Sequence, residues 1–160
     1  MKSIKRAYFK CPIGYVEVTG TEHGVQTVTI SDQKMKKWFV PLCLREAVSQ
    51  LKEYFKGDRQ LFTARVDVMG TDFQMRVWDE VGKIPYGKTI TYHQLAERIG
   101  DPKAFRAVGQ ADSKNPVWII IPCHRVIGND GKLVGYAGGL WRKKWLLEHE
   151  QAFAQKDLFY

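Results

Sequence analysis

Residues 91–116 constrain this chain more than any other stretch, because their punctuation leaves room for little except two short helices joined by a tight turn. Thr91 followed by Gln94 is a capping-box pattern, in which a hydroxyl takes the N–H three residues on and the amide reaches back. Leu95 and Ile99 give this helix an apolar edge, and Gly100 stands where a helix stops in the left-handed conformation. Asp101 caps the next helix, and Pro102 takes its first position, where a missing N–H costs nothing. Ala104, Val108 and Ala111 form its inner face, and Asn115-Pro116 ends it. The pattern reads as helix-turn-helix, with simple packing of two helices as the other reading. The formal net charge of +8 favours a polyanionic partner, since Lys and Arg contacts to phosphate dominate nucleic-acid affinity. A soluble protein that is merely basic has the same charge.

The first third has a different character. Val16 and Val18 alternate with polar neighbours, as do Val28 and Ile30, with Gly20, Thr21 and Gly24 between the runs, so a β-hairpin is expected. Leu44, Ala47, Val48, Leu51, Tyr54 and Phe55 recur at helical spacing, and Gly57 is the expected C-terminal glycine. Phe62, Ala64, Val66 and Val68 alternate and predict one more strand. The composition shifts at Met69-Gly70-Thr71, which divides the chain into an N-terminal domain over 1–68 and a C-terminal domain over 69–160. Beyond that boundary Phe73, Val77 and Val81 share one helix face, and Pro85-Tyr86-Gly87 is a turn. Val117-Trp118-Ile119-Ile120-Ile121 predicts a buried strand, and Gly128-Asn129-Asp130-Gly131 a turn or wing. A last helix after Gly138-Gly139 is expected to bury Trp141, Trp145, Leu146 and Leu147, with Glu150 near its end.

The three cysteines, Cys11, Cys43 and Cys123, are too few and odd in number for a disulfide framework. Together with an N-terminus lacking the apolar core of a signal peptide, they predict an intracellular protein, cytoplasmic in a prokaryote or nuclear in a eukaryote. His23, Cys11 and Cys43 do not have metal-ligand spacing, and no metal or other cofactor is expected. Cys123 follows Pro122 and precedes His124, so it sits at an edge beside a base. A Cys-His dipeptide alone is more often an inert thiol beside a packing histidine, because neighbours in an extended strand point to opposite faces. The pair works together only if the backbone turns there or a water bridges them.

The wider pattern decides. Pro122-Cys123-His124-Arg125-Val126, with Asn115-Pro116 before it and Gly135-Tyr136-Ala137-Gly138-Gly139-Leu140 after it, resembles the O6-alkylguanine-DNA alkyltransferase family. The match extends through Trp145-Leu146-Leu147-Glu148-His149-Glu150, Thr91-Tyr92-His93-Gln94-Leu95-Ala96 and Arg106-Ala107-Val108-Gly109. The resemblance implies an α+β protein, with an N-terminal α/β, ribonuclease-H-like domain and a C-terminal winged helix-turn-helix. It implies a monomer that acts on double-stranded DNA containing O6-alkylguanine, and on O4-alkylthymine. The alkyl group would pass irreversibly to Cys123, once per molecule, after base flipping.

Residue roles follow from the same resemblance. His124 is the base, acting through a bound water, and Glu150 orients its imidazole. Asn115 ties the active-site turn to the helix pair. Tyr136 donates to N3 of the leaving guanine, the backbone carbonyls of Cys123 and Val126 accept from the exocyclic amine, and the N–H of Ala137 reaches O6. Arg106 replaces the flipped base in the stack, and Tyr92 crowds the adjacent phosphate. Ala107 and Gly109 let their helix approach the minor-groove walls, and His93, Gln74, Asp101 and Asn129 complete the expected DNA-contacting set. Three positions depart from the pattern: Ala137 where serine is frequent, Phe105 where a small residue is usual, and the bulky Trp118. A non-catalytic relative, a winged-helix regulator and a thiol hydrolase are the competing readings. The presence of Cys123 stands against the first and the small residues around Arg106 against the second, while turnover number separates the third, since a hydrolase would act many times.

Overall fold

The structure is a computed structural model that describes residues 3–35 and 39–159, with the side chains of 155–159 left aside. The chain divides into two compact units, Met1–Met69 and Gly70–Tyr160.

The first unit is built on an antiparallel sheet of β1 (Lys5–Cys11), β2 (Gly14–Thr21) and β3 (Gly24–Ser31), in that order. The expected hairpin is β2–β3, with Val16 opposite Ile30 and Val18 opposite Val28. These four residues and Ala7 of β1 are buried on one face. Helix α1 (Arg45–Lys56) buries Ala47, Val48, Leu51 and Tyr54 and ends on Gly57 at φ 83°. Phe55 meets Phe9 of β1 edge-on, with ring centroids 6.4 Å apart. The expected strand over Phe62–Val68 is reduced to a single parallel bridge between Val66 and Val25. A side chain takes the place of the ladder: Gln50 Oε1 accepts from the N–H groups of Thr63 and Ala64 at 3.0 and 3.1 Å. Backbone donors satisfied in this way have no need of a neighbouring strand.

The second unit contains α2 (Asp72–Val81), β4 (Ile90–Thr91), α3 (Tyr92–Ile99), α4 (Phe105–Ser113), β5 (Val126–Ile127) and α5 (Leu140–Phe159). Helix α2 starts at a capping box between Thr71 and Gln74, and α3 at the expected one between Thr91 and Gln94. Gly100 ends α3 at φ 93°, and Asp101 caps a 3₁₀ turn, Pro102–Ala104, that leads into α4. Trp78 on α2 donates from its indole nitrogen to the Ala111 carbonyl at 2.8 Å, which fixes α2 against α4. Strands β4 and β5 form a short parallel pair beside the helices, with Ile90 opposite Val126.

Two expectations fail here. Val117–Ile121 is no strand but a tight double turn: Ile120 N–H donates to Trp118 O at 2.8 Å and Ile121 N–H to Val117 O at 3.1 Å. Ile119 lies at φ 71°, a strained position for a β-branched residue. The apolar run is needed for burial, which a turn satisfies as well as a strand. On α5, Trp141 is 53% exposed, and the Arg142 guanidinium lies 4.3 Å from its ring centre. Leu146 and Leu147 are buried as expected, but Arg142, Lys143 and Glu150 complete the stripe, so three of its members are ionisable. Among the described residues no helix is long and apolar enough to cross a membrane.

Candidate active site

Asn115 organises the turn that carries Cys123. Its side-chain oxygen accepts from Val117 N–H at 2.9 Å, and its amide nitrogen donates to Ile121 O at 2.7 Å, clamping both ends of the double turn. Its own N–H donates to Asp112 O, which joins the turn to the end of α4. Pro122 then bends the chain, and Cys123–Arg125 form one 3₁₀ turn with Cys123 N–H on Ile121 O at 2.8 Å. The backbone therefore turns where Cys123 and His124 meet, and the opposite-face argument against the pair does not apply.

Behind the cysteine lies a buried charge cluster. Glu150 of α5 accepts from His124 Nε2 at 2.5 Å, from Arg125 Nε at 2.7 Å and Nη2 at 3.1 Å, and from Gly87 N–H at 3.3 Å. Arg125 Nη1 donates to Ile84 O at 2.7 Å, and its guanidinium lies 5.6 Å from the Tyr86 ring centre. Burial alone would push the Glu150 carboxyl up, but the charges and hydrogen bonds of His124 and Arg125 outweigh it and hold the group well below the usual carboxylate range. An ionised carboxylate only accepts, so Nε2 carries the hydrogen of its bond to Glu150. In the neutral ring Nδ1 is then the acceptor, and that atom is buried with no hydrogen-bond partner.

In front of the cysteine lies a cavity of about 870 Å³. Cys123, Asp112, Trp118, Tyr136 and Ala137 line it, and Tyr92 and Arg106 reach it from α3 and α4. Burial pushes the Cys123 thiol up to about 12; Asp112 adds to the shift, while the Asn115 amide and the Lys143 ammonium oppose it. Tyr136 Oη is buried without a partner, and its phenol is held well above its ordinary range, first by burial and then by the charges of Cys123 and Asp112. Lys143 donates to Val134 O at 3.0 Å and Gly135 O at 3.2 Å, which pins the loop before Tyr136 to α5. Trp118 has a place in this wall: its ring centre is 5.5 Å from that of Tyr136. A Cβ at Gly138 would come within 2.9 Å of Trp118 and 3.0 Å of Tyr136, so glycine is required for that pair to close.

The expected DNA-contacting residues fall on or beside the helix pair. Arg106 and Ala107 are exposed at the start of α4. Gly109 lies against the Tyr92 ring, which a Cβ there would meet in ordinary contact at 3.6 Å, and Tyr92 donates to Val134 O at 3.2 Å. His93 N–H donates to Asn129 Oδ1 at 3.0 Å, joining α3 to the turn at Gly128–Gly131. Phe105 stacks on the His93 ring with centroids 4.5 Å apart, and the Arg106 guanidinium lies 5.8 Å from the Phe105 ring centre. Gln74 and Asp101 serve their own helix starts: Gln74 Oε1 accepts from Thr71 N–H, and Asp101 Oδ1 from Lys103 N–H. Val126 is fully buried in β5, so its side chain is no part of the cavity wall. Asp112 and Lys143 were not expected at the site. Ionisable residues at helical spacing look like a solvated face until a neighbouring element covers them. Among the described residues no group of three His, Cys, Asp or Glu side chains is placed to hold a metal ion.

Comparison with known proteins agrees along the chain. Residues 4–68 match the ribonuclease-like domain of 6-O-methylguanine DNA methyltransferase, and residues 72–152 its DNA binding domain. A methylated-DNA–protein-cysteine methyltransferase of Methanosarcina acetivorans is 46% identical over 151 residues, covering 90% of this chain and 96% of the relative. One of Mycobacterium leprae is 56% identical over 106 residues, covering 66% and 64%. A crystal structure of Mycobacterium tuberculosis O6-methylguanine methyltransferase superposes with a TM-score of 0.86 at 40% identity, over 99% of this chain and 100% of that one. A second structure from that organism, solved in complex with DNA, gives 0.84 at 42% identity, over 92% and 93%. Two domain matches that between them span most of the sequence, and relatives alike in sequence and in fold, lead to one assignment: the chain belongs to the 6-O-methylguanine DNA methyltransferase family of methylated-DNA–protein-cysteine methyltransferases.

Proposed function

We propose that this protein restores guanine in DNA by moving the alkyl group of O6-alkylguanine onto the sulfur of Cys123, once per molecule, after the damaged base has left the helix. The observation that carries this reading is the cavity of about 870 Å³ that has Cys123 in its wall and Arg106 at its edge. A cavity of that order holds a flipped nucleobase.

A thiol pushed up to about 12 is protonated at neutral pH, so deprotonation belongs to the transfer step and not to the resting protein. The proton moves toward His124 Nδ1 through a water, while Glu150 holds the ring. Sulfur attacks the alkyl carbon, the C–O6 bond breaks, and its electron pair goes to guanine. The Tyr136 phenol faces N3, the Ala137 N–H faces O6, and the carbonyls of Cys123 and Val126 take the exocyclic amine; the donors stabilise the charge that develops on the leaving base. The product is a thioether with no ready leaving group, so the transfer ends there. Asn115 keeps the turn in place throughout. Arg106 fills the vacated stack, Tyr92 crowds the phosphate, and Ala107 and Gly109 admit the sugar-phosphate walls. His93, Gln74, Asp101 and Asn129 flank that surface. O4-alkylthymine is a second substrate on this reading, and the protein acts as a monomer.

Intact mass and peptide mapping after reaction with an oligonucleotide carrying O6-methylguanine test the chemistry. One methyl per chain, at Cys123 and not at Cys11 or Cys43, is expected with guanine restored; many turnovers per chain would exclude the mechanism. The flipping roles have their own test. Arg106→Ala should slow repair of duplex DNA roughly ten- to a hundredfold, because unstacking a base costs a few kcal/mol. It should leave the reaction with free O6-benzylguanine nearly unchanged, since that substrate has no stack to leave. Equal losses on both substrates would mean that the arginine supports the cavity itself.

A further inference from the structure

Asp112 is an unexpected group in the acceptor cavity. It lies on the inner face of α4, is 4% exposed, and lines the cavity together with Cys123, Tyr136 and Trp118. Its Oδ1 is sealed from solvent and has no hydrogen-bond partner. The nearby cation does not relieve it, since the Lys143 ammonium is engaged by the carbonyls of Val134 and Gly135. A buried polar atom without a partner costs folding free energy, and its retention calls for an explanation. The other such side-chain atom among the residues that line this cavity is Tyr136 Oη.

We propose that Asp112 is a base-recognising residue, whose carboxylic acid donates a hydrogen bond to an acceptor atom of the purine held in the cavity. The proposal rests on the alkyl-transfer reading above and adds to it a contact that selects the base. The carboxyl has the protonation the role requires: burial pushes it up to about 8, and the Lys143 ammonium opposes the shift only in part. At neutral pH it is therefore a neutral acid with a proton to donate. A carboxylate there would instead face the lone pairs of the purine and the charge developing on the leaving base, and would oppose transfer. The titratable groups around it are Lys143 on α5, Tyr92 on α3, Cys123 on its turn and Tyr136 on the loop; Glu150 and Arg142 act on Tyr136 from behind.

Single-turnover kinetics with free O6-benzylguanine from pH 6 to 9.5, followed by benzylation of Cys123, test this on the full chain. Wild type should lose rate as pH rises through about 8. Asp112→Asn keeps a donor at every pH, so whatever its rate at neutral pH, its profile should lack the alkaline decline. Asp112→Leu has no donor and should be slower by about tenfold, the size of one hydrogen bond, without a lower Tm. An alkaline decline unchanged in Asp112→Asn overturns the proposal. A Tm loss in Asp112→Leu that accounts for its slow reaction overturns it as well, because the carboxyl would then be structural. If Asp112→Leu does not fold, the pH profile of Asp112→Asn decides alone. Failure of wild type to benzylate Cys123 would instead refute the alkyl-transfer reading, an outcome distinct from both.

Discussion

Cys123→Ser should fold, bind duplex DNA carrying O6-methylguanine about as well as wild type, and transfer no measurable methyl. The loss should be roughly a thousandfold or more, the scale reached when a covalent catalyst loses its nucleophile. Serine presents a hydroxyl that ionises far less readily than a thiol. The pocket makes that worse, since burial already drives the thiol up to about 12 and penalises any anion at this position. Binding should survive because the side chains expected to meet DNA lie on α2, on the α3–α4 pair with its connecting turn and on the turn at Gly128–Gly131, and none of them is the sulfur. Methyl transfer from labelled DNA, with fluorescence anisotropy for binding, checks both halves. Residual transfer within tenfold of wild type would place the acceptor elsewhere, and Cys11 or Cys43 would then carry the label. A parallel loss of binding would show that the sulfur helps to hold the lesion.

Local signals in the sequence proved reliable wherever a single residue decides the geometry. Thr91 with Gln94, Gly100 at its left-handed φ, Asp101 with Pro102, and Asn115 after α4 each act on the backbone next to them, so no tertiary information is needed to read them. Gly57 did the same for α1. Periodicity was weaker. Val117–Ile121 is apolar because it is covered, and coverage is shared by a strand and by the turn that Asn115 clamps. Phe62–Val68 alternates as a strand does, but Gln50, remote in sequence, takes its backbone donors. β1 escaped notice because Lys5, Arg6 and Lys10 mask the alternation of Ala7, Phe9 and Cys11.

The chemistry was legible in a different way. Resemblance supplied Cys123, His124 and Glu150, and the structure brings His124 and Glu150 within 2.5 Å. Nothing in the spacing of residues 123–150 announces that contact. Helix α5 hid the rest, because a sequence reading assigns its tryptophans to the interior and its charges to solvent. The structure reverses this for Trp141 and for Arg142 and Lys143. A stripe that must serve a polar site has to be polar, and the usual sign of a buried face is then lost. Asp112 was missed for the same reason.

Glu150→Gln should be among the most destabilising single substitutions in the chain. Glu150 and Arg125 are both almost fully buried, and Gln removes the charge that Arg125 and His124 are built around. Breaking a buried ion pair from one side costs about 3–5 kcal/mol, because the remaining charge is left unpaired. The effect has a defined pH dependence. The Glu150 carboxyl is depressed in the folded state, so the stability it contributes is present above its unfolded value of 4.5 and is lost as pH falls toward the lower folded value. Urea unfolding should therefore show the largest gap between wild type and variant at neutral pH, narrowing progressively below pH 4.5. A gap that stays constant through that range would mean that shape, not charge, is what Gln disturbs. The double variant Arg125→Met with Glu150→Leu separates stability from function. Replacing a buried ion pair by apolar side chains of similar volume is often neutral or stabilising. Most of the lost stability should return, and alkyl transfer should not, because His124 would have no carboxylate to hold its ring. Recovery of both would show that the cluster serves only the fold and that Glu150 plays no part in orienting the base.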